Sequence, residues 1–221
     1  PTQATLNYLN KYNLNKNIFL LRDPIISSSQ ILKKKKNLET FNNENNKQNY
    51  VAIGRLTKQK NFIFLINCFK KIIYSNRNVN LYILGEGEEQ KKLEDLIIKA
   101  NLEKNIFLEG YQKNIYEYLK KADAFILSSL WEDPGFVLIE AFYSNTVVIS
   151  SNCNNGPVEI LENGKNGFLF NNNSELSFFQ KFEEFNATKK KDIKIMQLNA
   201  KKMSKNYSLF NHYKSLIKIL N

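Results

Sequence analysis

The chain has 221 residues, of which 43% are hydrophobic and 24% are charged, and this size suits one good-sized globular domain. Its net charge of +11 fits a solvated basic surface, a polyanionic ligand or an anionic membrane, whereas the lysine runs lack the interleaved aromatic residues of a single-stranded nucleic-acid surface. The absence of a membrane-length apolar segment and of metal-ligand spacing between Cys68 and Cys153 favours a cytoplasmic protein without a cysteine-bound metal.

The first quarter of the chain shows little sign of a packed core. Residues 2–12 have the spacing of a short helix, and residues 17–21 are typical of a strand. Residues 27–48 are polar and rich in serine, lysine and asparagine, which is typical of a flexible linker or a long surface loop. We therefore expect a domain boundary near Tyr50.

From Tyr50 onward, short apolar runs alternate with amphipathic segments. This alternation is typical of a parallel sheet flanked by helices, so the fold class expected is α/β and Rossmann-like. Strands are predicted at residues 50–56, 80–84, 105–111, 124–129, 146–151 and 168–170, and helices at residues 61–74, 88–100, 115–122 and 157–162.

Residues 174–221 are helical in pattern, with breaks near Ala187 and Tyr207. The lone histidine, His212, lies in the last helix, where a surface or packing role is expected rather than catalysis. This helix carries an apolar stripe that is either exposed or packed on residues 1–24, and the stripe consists of Leu209, Phe210, Tyr213, Leu216, Ile217 and Leu220.

The stretch that contains Glu132 and Glu140 is the candidate site. Glu132 directly follows the strand at residues 124–129. We expect Asp133 to be the N-cap and Pro134 the first residue of an apolar helix that contains Glu140. Helix N-termini attract phosphate and carboxylates accept hydroxyl protons, so a ligand with both groups, such as a nucleotide sugar, would fit. Alternatively, Glu132 is a solvated loop residue and Glu140 a polar position on a half-exposed helix.

Glycine-containing turns follow the first two strands. The first turn holds Gly54, Arg55 and Lys60, where glycine permits close approach of a ligand and two cations can neutralise a diphosphate. A solvated basic turn is the alternative. The second turn, Gly-Glu-Gly at residues 85–87, lacks the third glycine of a dinucleotide fingerprint, so no NAD site is predicted. We expect it to be a tight turn beside the crevice.

Taken in order, these pieces resemble a known family. Glu132 and Glu140 stand eight positions apart, before Ala141 and a Val-Val-Ile strand, as in the E-x7-E signature of the retaining glycosyltransferase family 4, whose fold is GT-B. The family's other motifs are similar to Gly54-Arg55-Leu56 with Lys60-Asn61, to Gly85-Glu86-Gly87, and to Asn-Gly-Pro-Val-Glu-Ile-Leu at residues 155–161. The resemblance covers about residues 50–170.

The resemblance implies a role for each matched residue. Glu132 would hold the hydroxyl groups of the transferred sugar at the reacting centre, and Glu140 would hold the ribose. Arg55 and Lys60 would neutralise the diphosphate, so no metal is expected. The loop after the third strand, with Tyr111 and Gln112, would lie near the nucleobase, and a packing role is the alternative for Tyr111. The remaining donor-binding positions would be Gly54, Gly85, Gly135, Phe136 and Val137.

The resemblance also implies an organisation and a substrate class. Residues 1–49 would be the end of a missing N-terminal acceptor domain plus a polar linker, residues 50–205 the nucleotide-sugar domain, and residues 206–221 a crossing helix. The donor would be a UDP-hexose or UDP-N-acetylhexosamine, used in surface polysaccharide or lipopolysaccharide synthesis. The acceptor would be a glycan or a lipid-linked group, and peripheral contact with the inner face of the membrane is a further expectation. Little transfer by this chain alone is expected.

Two other functions stay open. A nucleotide-sugar epimerase shares the GT-B fold but would bring catalytic histidines, whereas His212 is the one histidine of the chain. A basic, non-catalytic adaptor would bind nucleic acid or an anionic membrane in a salt-dependent way.

The chain also departs from the family's commonest pattern, because Asp133 and Pro134 stand between Glu132 and the Gly-Phe pair. They add a negative charge and remove one amide where phosphate is expected.

Overall fold

The computed structural model describes residues 2–12, 18–26, 47–76 and 78–220. At its centre lies a parallel sheet with the strand order β3-β2-β1-β4-β5-β6. This is the order of a doubly wound, Rossmann-like fold, so the predicted fold class is confirmed. The strands are β1 (Gln48–Ile53), β2 (Val79–Leu84), β3 (Ile106–Gly110), β4 (Ala124–Leu127), β5 (Val147–Ser151) and β6 (Phe168–Phe170).

Helices cover both faces of the sheet. They are α1 (Gln3–Lys11), α2 (Phe62–Ser75), α3 (Gln90–Lys99), α4 (Ile115–Lys121), α5 (Phe136–Tyr143), α6 (Pro157–Ile160), α7 (Glu175–Ala187), α8 (Lys190–Ser204) and α9 (Leu209–Leu220). Short 3₁₀ turns occur at Lys58–Lys60, Glu162–Gly164 and Lys205–Tyr207. Within the described part of the chain, no helix is both long enough and apolar enough to cross a membrane.

The alternation of side chains along the strands divides the core into two layers. In β4, Ala124 and Ile126 join the cluster that contains α2 and α7, whereas Phe125 and Leu127 join the cluster that contains α5 and α8. All four residues are buried, as expected for a parallel strand covered on both faces. Each fully buried aliphatic side chain of this kind contributes about 2 kcal/mol, so the sheet is a rigid support for the loops at its carboxyl edge.

The carboxyl edge of the sheet is where a ligand site is expected. The strand order reverses between β1 and β4, which pair in register at Tyr50 with Ala124 and at Val51 with Phe125. Ligands of doubly wound sheets bind in the crevice outside the carboxyl ends of the two strands at such a point. The loops after β1 and β4 therefore contain the candidate site.

The predicted strand at residues 17–21 is wrong. Residues 18–21 have no regular secondary structure, and Asn17 lies outside the described residues. Within the described ranges, the chain from residue 18 to residue 26 makes one isolated β-bridge, between Ile26 and Ser208. Phe19 is 59% exposed, and the neighbouring Arg22 contacts Glu159 and the Tyr207 ring. Most of the predicted linker at residues 27–48 lies outside the described residues, and β1 begins at Gln48.

The predicted start of the helix after Glu132 is also wrong. Helix α5 begins at Phe136 with Gly135 as the N-cap, so Asp133 is not the cap and Pro134 is not helical. Gly135 has a φ of 87°, a left-handed conformation that glycine adopts without strain. The chain therefore turns at Gly135 after an Asp133-Pro134 segment that belongs to the loop.

The last helix packs through one side and exposes the other. The Nδ1 atom of His212 lies 2.7 Å from the backbone oxygen of Arg22, in line with the packing role expected for this histidine. The apolar stripe is exposed in α9, with Leu209, Phe210, Tyr213, Ile217 and Leu220 between 39% and 74% accessible.

Candidate functional site

Backbone and side-chain hydrogen bonds join the turn after β1 to the loop after β4. The backbone N–H of Leu130 donates to the oxygen of Gln59 at 2.8 Å, and the Gln59 side chain donates to the oxygen of Trp131 at 2.9 Å. The hydroxyl of Ser128 donates to the backbone oxygen of Lys60 at 2.7 Å. The two loops therefore form one rigid wall at the switch point.

A cleft of about 420 Å³ lies between these loops and the start of α5. Seven of the predicted site residues line this cleft, which places the turn after β1 opposite Glu132 and the helix start. The lining consists of Ile53, Gly54, Arg55, Thr57, Gln59, Lys60, Glu132, Asp133, Gly135, Phe136 and Val137.

The two most buried charges of the cleft are paired with each other. Lys60 Nζ lies 2.5 Å from Glu132 Oε1, with side chains that are 15% and 5% exposed. The hydroxyl of Ser129 donates to the same carboxylate oxygen at 2.5 Å. A Cβ atom at Gly54 would lie 2.9 Å from Lys60 Cε, so the absence of a side chain at Gly54 leaves room for the lysine stem. Glycine at position 54 therefore allows the Lys60 side chain to reach Glu132.

Arg55 supplies a second, unpaired cation. Its side chain is exposed and lines the cleft, and it has no ion pair or hydrogen bond within the described part of the chain. A guanidinium group in this position can bind a phosphate in a bidentate way. Because Lys60 is already paired with Glu132, Arg55 is the cation most available to an incoming anion.

Thr57 is a site residue that the sequence analysis missed. Its hydroxyl oxygen is buried beside the cleft and has no hydrogen-bond partner among the described residues. Buried hydroxyl groups are normally satisfied, so a polar ligand atom in the cleft would complete this one. The only signal in the sequence was its position between Arg55 and Lys60.

The N-terminus of α5 faces the cleft. Gly135, Phe136 and Val137 line it, and the first amides of any α-helix lack partners within the helix. The helix start thus offers amide donors and the positive end of the helix dipole to an anion. These amides and Arg55 approach the same cleft from opposite sides.

Glu140 lies one turn further into α5 and outside the residues that line the cleft. It is partly buried, and burial raises the pKa of its carboxyl group to about 7. Tyr116 lies nearby, and burial together with the Glu140 charge raises the pKa of its phenol to about 12. The Glu140 carboxyl group has no protein hydrogen bond in the described residues, so it can accept hydroxyl groups of a ligand, and it does so most strongly when it is ionised.

The raised pKa of Glu140 predicts a pH-dependent stability. The folded-state pKa of about 7 lies above the unfolded value near 4.5, so the stability that this group contributes is present below pH 4.5 and is lost as the pH rises through 7. We expect Glu140→Gln to match the wild type near pH 4.5 and to exceed its free energy of unfolding by about 1–3 kcal/mol at pH 8. Urea denaturation of both proteins at the two pH values measures this difference. A gain of equal size for the exposed Glu94→Gln would contradict the effect of burial.

Gly85 and Tyr111 do not line the cleft. A Cβ atom at Gly85 would lie 2.0 Å from the backbone oxygen of Gly54, so the Gly-Glu-Gly turn packs directly against the turn after β1. Tyr111 is 72% exposed, and its backbone N–H donates to the carboxylate of Glu86 at 3.4 Å. Gly85 therefore supports the turn that holds Arg55. The donor-binding roles of both residues stay predictions.

The loop after β5 closes the site from a third side. The backbone N–H of Glu132 donates to the oxygen of Asn154 at 3.2 Å, and Gly156 packs against the backbone of Pro134. Glu159 accepts from Arg22 at 3.4 Å and from the backbone N–H of Gln3 at 2.8 Å. Glu159 is thus engaged by the N-terminal segment, and it does not line the cleft.

Metal ligands do not cluster in the described ranges. No group of three or more histidine, cysteine, aspartate or glutamate side chains there is arranged to hold a metal ion. Both cysteines, Cys68 and Cys153, are buried and free. The expectation that fixed cations act in place of a metal stays a prediction.

Comparison with known proteins gives a consistent result. The family described as "Glycosyl transferases group 1" matches residues 30–203. An uncharacterized glycosyltransferase of Methanocaldococcus jannaschii is 47% identical over 112 residues, which are 51% of this chain and 28% of the relative. The N-acetylgalactosamine-N,N'-diacetylbacillosaminyl-diphospho-undecaprenol 4-alpha-N-acetylgalactosaminyltransferase of Campylobacter jejuni is 32% identical over 130 residues, 59% of this chain and 35% of the relative.

A solved structure is similar over the whole chain. A mutant of Staphylococcus aureus TarM, in complex with fondaparinux, alpha-GlcNAc-glycerol and UDP, matches with a TM-score of 0.79 and 24% identity. The match covers 100% of this chain and 43% of TarM, and it concerns the fold. The chain thus spans less than half the length of each of these relatives.

Proposed function

The chain belongs to the group 1 glycosyl transferases, and on that premise we propose that its cleft binds a UDP-linked hexose or N-acetylhexosamine for transfer with retention at the anomeric carbon. The observation that carries the proposal is that anion-binding groups and a carboxylate line the same cleft. Arg55 and the start of α5 suit a diphosphate, and Glu132 at the same cleft suits hydroxyl groups.

We assign one role to each side of the cleft. Arg55, together with Lys60 and the amides near Phe136, neutralises the diphosphate as it gains charge during bond cleavage. Glu132 accepts hydroxyl groups of the transferred sugar. The nucleotide extends from the cleft along α5, where Glu140 accepts hydrogen bonds from the ribose hydroxyl groups.

The proposed reaction needs no protein nucleophile. The bond between the anomeric carbon and the diphosphate oxygen breaks, and the acceptor oxygen bonds to that carbon on the same face. The acceptor proton passes to the departing phosphate oxygen. The Campylobacter jejuni relative is named for an alpha linkage, and an alpha product from an alpha-linked donor means retention, which supports this proposal.

The names of the relatives support the proposed substrates. TarM was solved with UDP and alpha-GlcNAc-glycerol, and the Campylobacter jejuni enzyme is named for a lipid-linked diphospho-undecaprenol acceptor. We propose a UDP-sugar donor and a glycan or lipid-linked acceptor of surface polysaccharide synthesis, used on the cytoplasmic side of a membrane. A peripheral contact with anionic lipid would fit the net charge of +11.

Calorimetric titration of UDP, GDP and ADP into this chain tests the proposal. At pH 8 the Glu140 carboxylate, with a pKa of about 7, is mostly ionised. We expect UDP to bind best and Glu140→Ala to weaken its affinity by about 10- to 100-fold, because hydrogen bonds to a charged group are lost. Glu94→Ala, which removes an exposed glutamate of α3, is the control.

Two outcomes would contradict the proposal. If the wild type and Glu140→Ala bound UDP with equal affinity, Glu140 would not be the ribose site. If no nucleotide bound at all, the cleft would not be a donor site. The adaptor alternative predicts instead a strongly salt-dependent binding to DNA or anionic vesicles that Glu140→Ala does not change.

A further inference from the structure

Ser129 connects the carboxylate of Glu132 to the sheet. Its hydroxyl donates to Glu132 Oε1 at 2.5 Å, and its backbone oxygen accepts from the Ser151 hydroxyl at 2.7 Å. Ser129 and Ser151 are both fully buried, one just after β4 and the other at the end of β5. The contact thus joins a cleft residue to two neighbouring strands through fixed groups.

The two oxygens of the Glu132 carboxylate differ in their surroundings. Oε1 receives both Lys60 Nζ and the Ser129 hydroxyl, whereas Oε2 has no hydrogen-bond partner within the described ranges. A buried carboxylate is costly unless it is hydrogen-bonded, so these two donors fix the group with Oε2 available. Oε2 is therefore the oxygen that can accept a hydroxyl group in the cleft.

The two donors also differ in mobility. The Lys60 ammonium group stands on a flexible stem and has three donors, so it can turn partly toward a diphosphate. The Ser129 hydroxyl has one rotatable bond on a fully buried backbone that Ser151 holds in turn. When Lys60 turns partly toward a bound diphosphate, the Ser129 hydroxyl still donates to Oε1.

We propose that Ser129 is a positioning residue, which fixes the Glu132 carboxylate so that Oε2 meets the transferred sugar, and that Ser151 supports it from the neighbouring strand. The inference rests on the proposed function, since it assigns the sugar-facing oxygen of the same site. Ser129 itself contacts neither nucleotide nor sugar.

The test separates sugar recognition from nucleotide binding. Calorimetry gives the dissociation constants of UDP and of four UDP-sugars: UDP-glucose, UDP-galactose and their two N-acetylated forms. We define the sugar increment as the dissociation constant of UDP divided by that of the UDP-sugar that binds most tightly. We expect Ser129→Ala to reduce this increment by about tenfold and to leave UDP affinity within about twofold. Ser151→Ala should shift it in the same direction by a smaller factor. Ser204→Ala, which removes an equally buried hydroxyl bonded to Lys201 in α8, should not.

A double-mutant cycle with Glu132 excludes a purely structural role. In a Glu132→Ala background, Ser129→Ala should cause no further change in the sugar increment, because its only route to the sugar is gone. Three results would overturn the inference while nucleotide binding and its dependence on Glu140 stand. Ser129→Ala could weaken UDP and UDP-sugar affinity equally, or it could still lower the sugar increment in the Glu132→Ala background. The third such result is an unchanged sugar increment in both serine variants. A wild-type chain that binds no nucleotide, or binds no UDP-sugar more tightly than UDP, would overturn the proposed role of the cleft and this inference together.

Discussion

Replacing Lys60 by methionine is expected to lower the free energy of unfolding by about 2–4 kcal/mol, because the change leaves the Glu132 carboxylate buried with one donor, Ser129. Methionine keeps much of the stem that packs over Gly54, so the loss reports the missing charge rather than a cavity. The same variant should weaken UDP affinity by at least about tenfold, since a cation of the diphosphate site is gone. Urea denaturation and calorimetry measure the two effects.

Two further variants make this expectation specific. Lys58→Met removes an exposed lysine from the same turn and should change stability by no more than about 0.5 kcal/mol. Lys60→Met combined with Glu132→Gln replaces the unpaired charge by a neutral amide, so it should recover most of the stability but none of the UDP affinity. If the Lys60 and Lys58 variants were equally stable, the unpaired Glu132 carboxylate would carry no cost in the fold.

The contact between Lys60 and Glu132 also marks the limit of what the sequence could predict. The alternation of apolar runs predicted the six strands of the described sheet to within about three residues at each end, and helices α2, α3, α4 and α6 to within about two. Patterns along the chain report local structure well because each strand and helix has its own period. The pairing of side chains 72 positions apart depends on the strand order, which places β1 beside β4.

The start of α5 was predicted wrongly for a physical reason. Asp133 and Pro134 are favourable residues for a helix N-terminus, but the backbone turns in the left-handed region at Gly135, and local preferences cannot report that choice. The apolar residues at 18–21 likewise have a strand-like composition, yet they do not join the described sheet. In both cases tertiary contacts outweighed propensity.

The structure brings most of the predicted site residues to one cleft, and their roles stay predictions. Gly54, Arg55, Lys60, Glu132 and the start of α5 meet in one cleft, whereas three predicted site residues lie outside its lining: Gly85, Tyr111 and Glu140. Ser129 and Thr57 escaped notice because small polar residues at strand ends are common in any α/β protein. Their hydrogen-bonding states, one fully engaged and one unsatisfied, exist only in three dimensions.

Replacing Gly156 by alanine is expected to be strongly destabilising. A Cβ atom there would lie 1.9 Å from the backbone oxygen of Pro134, and Gly156 has a φ of 139°, a conformation that residues with a side chain rarely adopt. The backbone hydrogen bond between Glu132 and Asn154 opposes a separation of the loop before α5 from the loop after β5. We therefore expect a loss of more than about 4 kcal/mol, or no folded protein.

Gly164→Ala is the matched control for this variant. Gly164 also has a positive φ, 96°, but nothing lies within 4 Å of a Cβ atom at that position, so only backbone strain of about 1–2 kcal/mol is expected. The difference between the two variants in urea denaturation isolates the contact with Pro134. A Gly156 variant no less stable than the Gly164 variant would show that the Pro134 loop yields easily. The helix start at Gly135 would then be adjustable rather than a rigid part of the cleft.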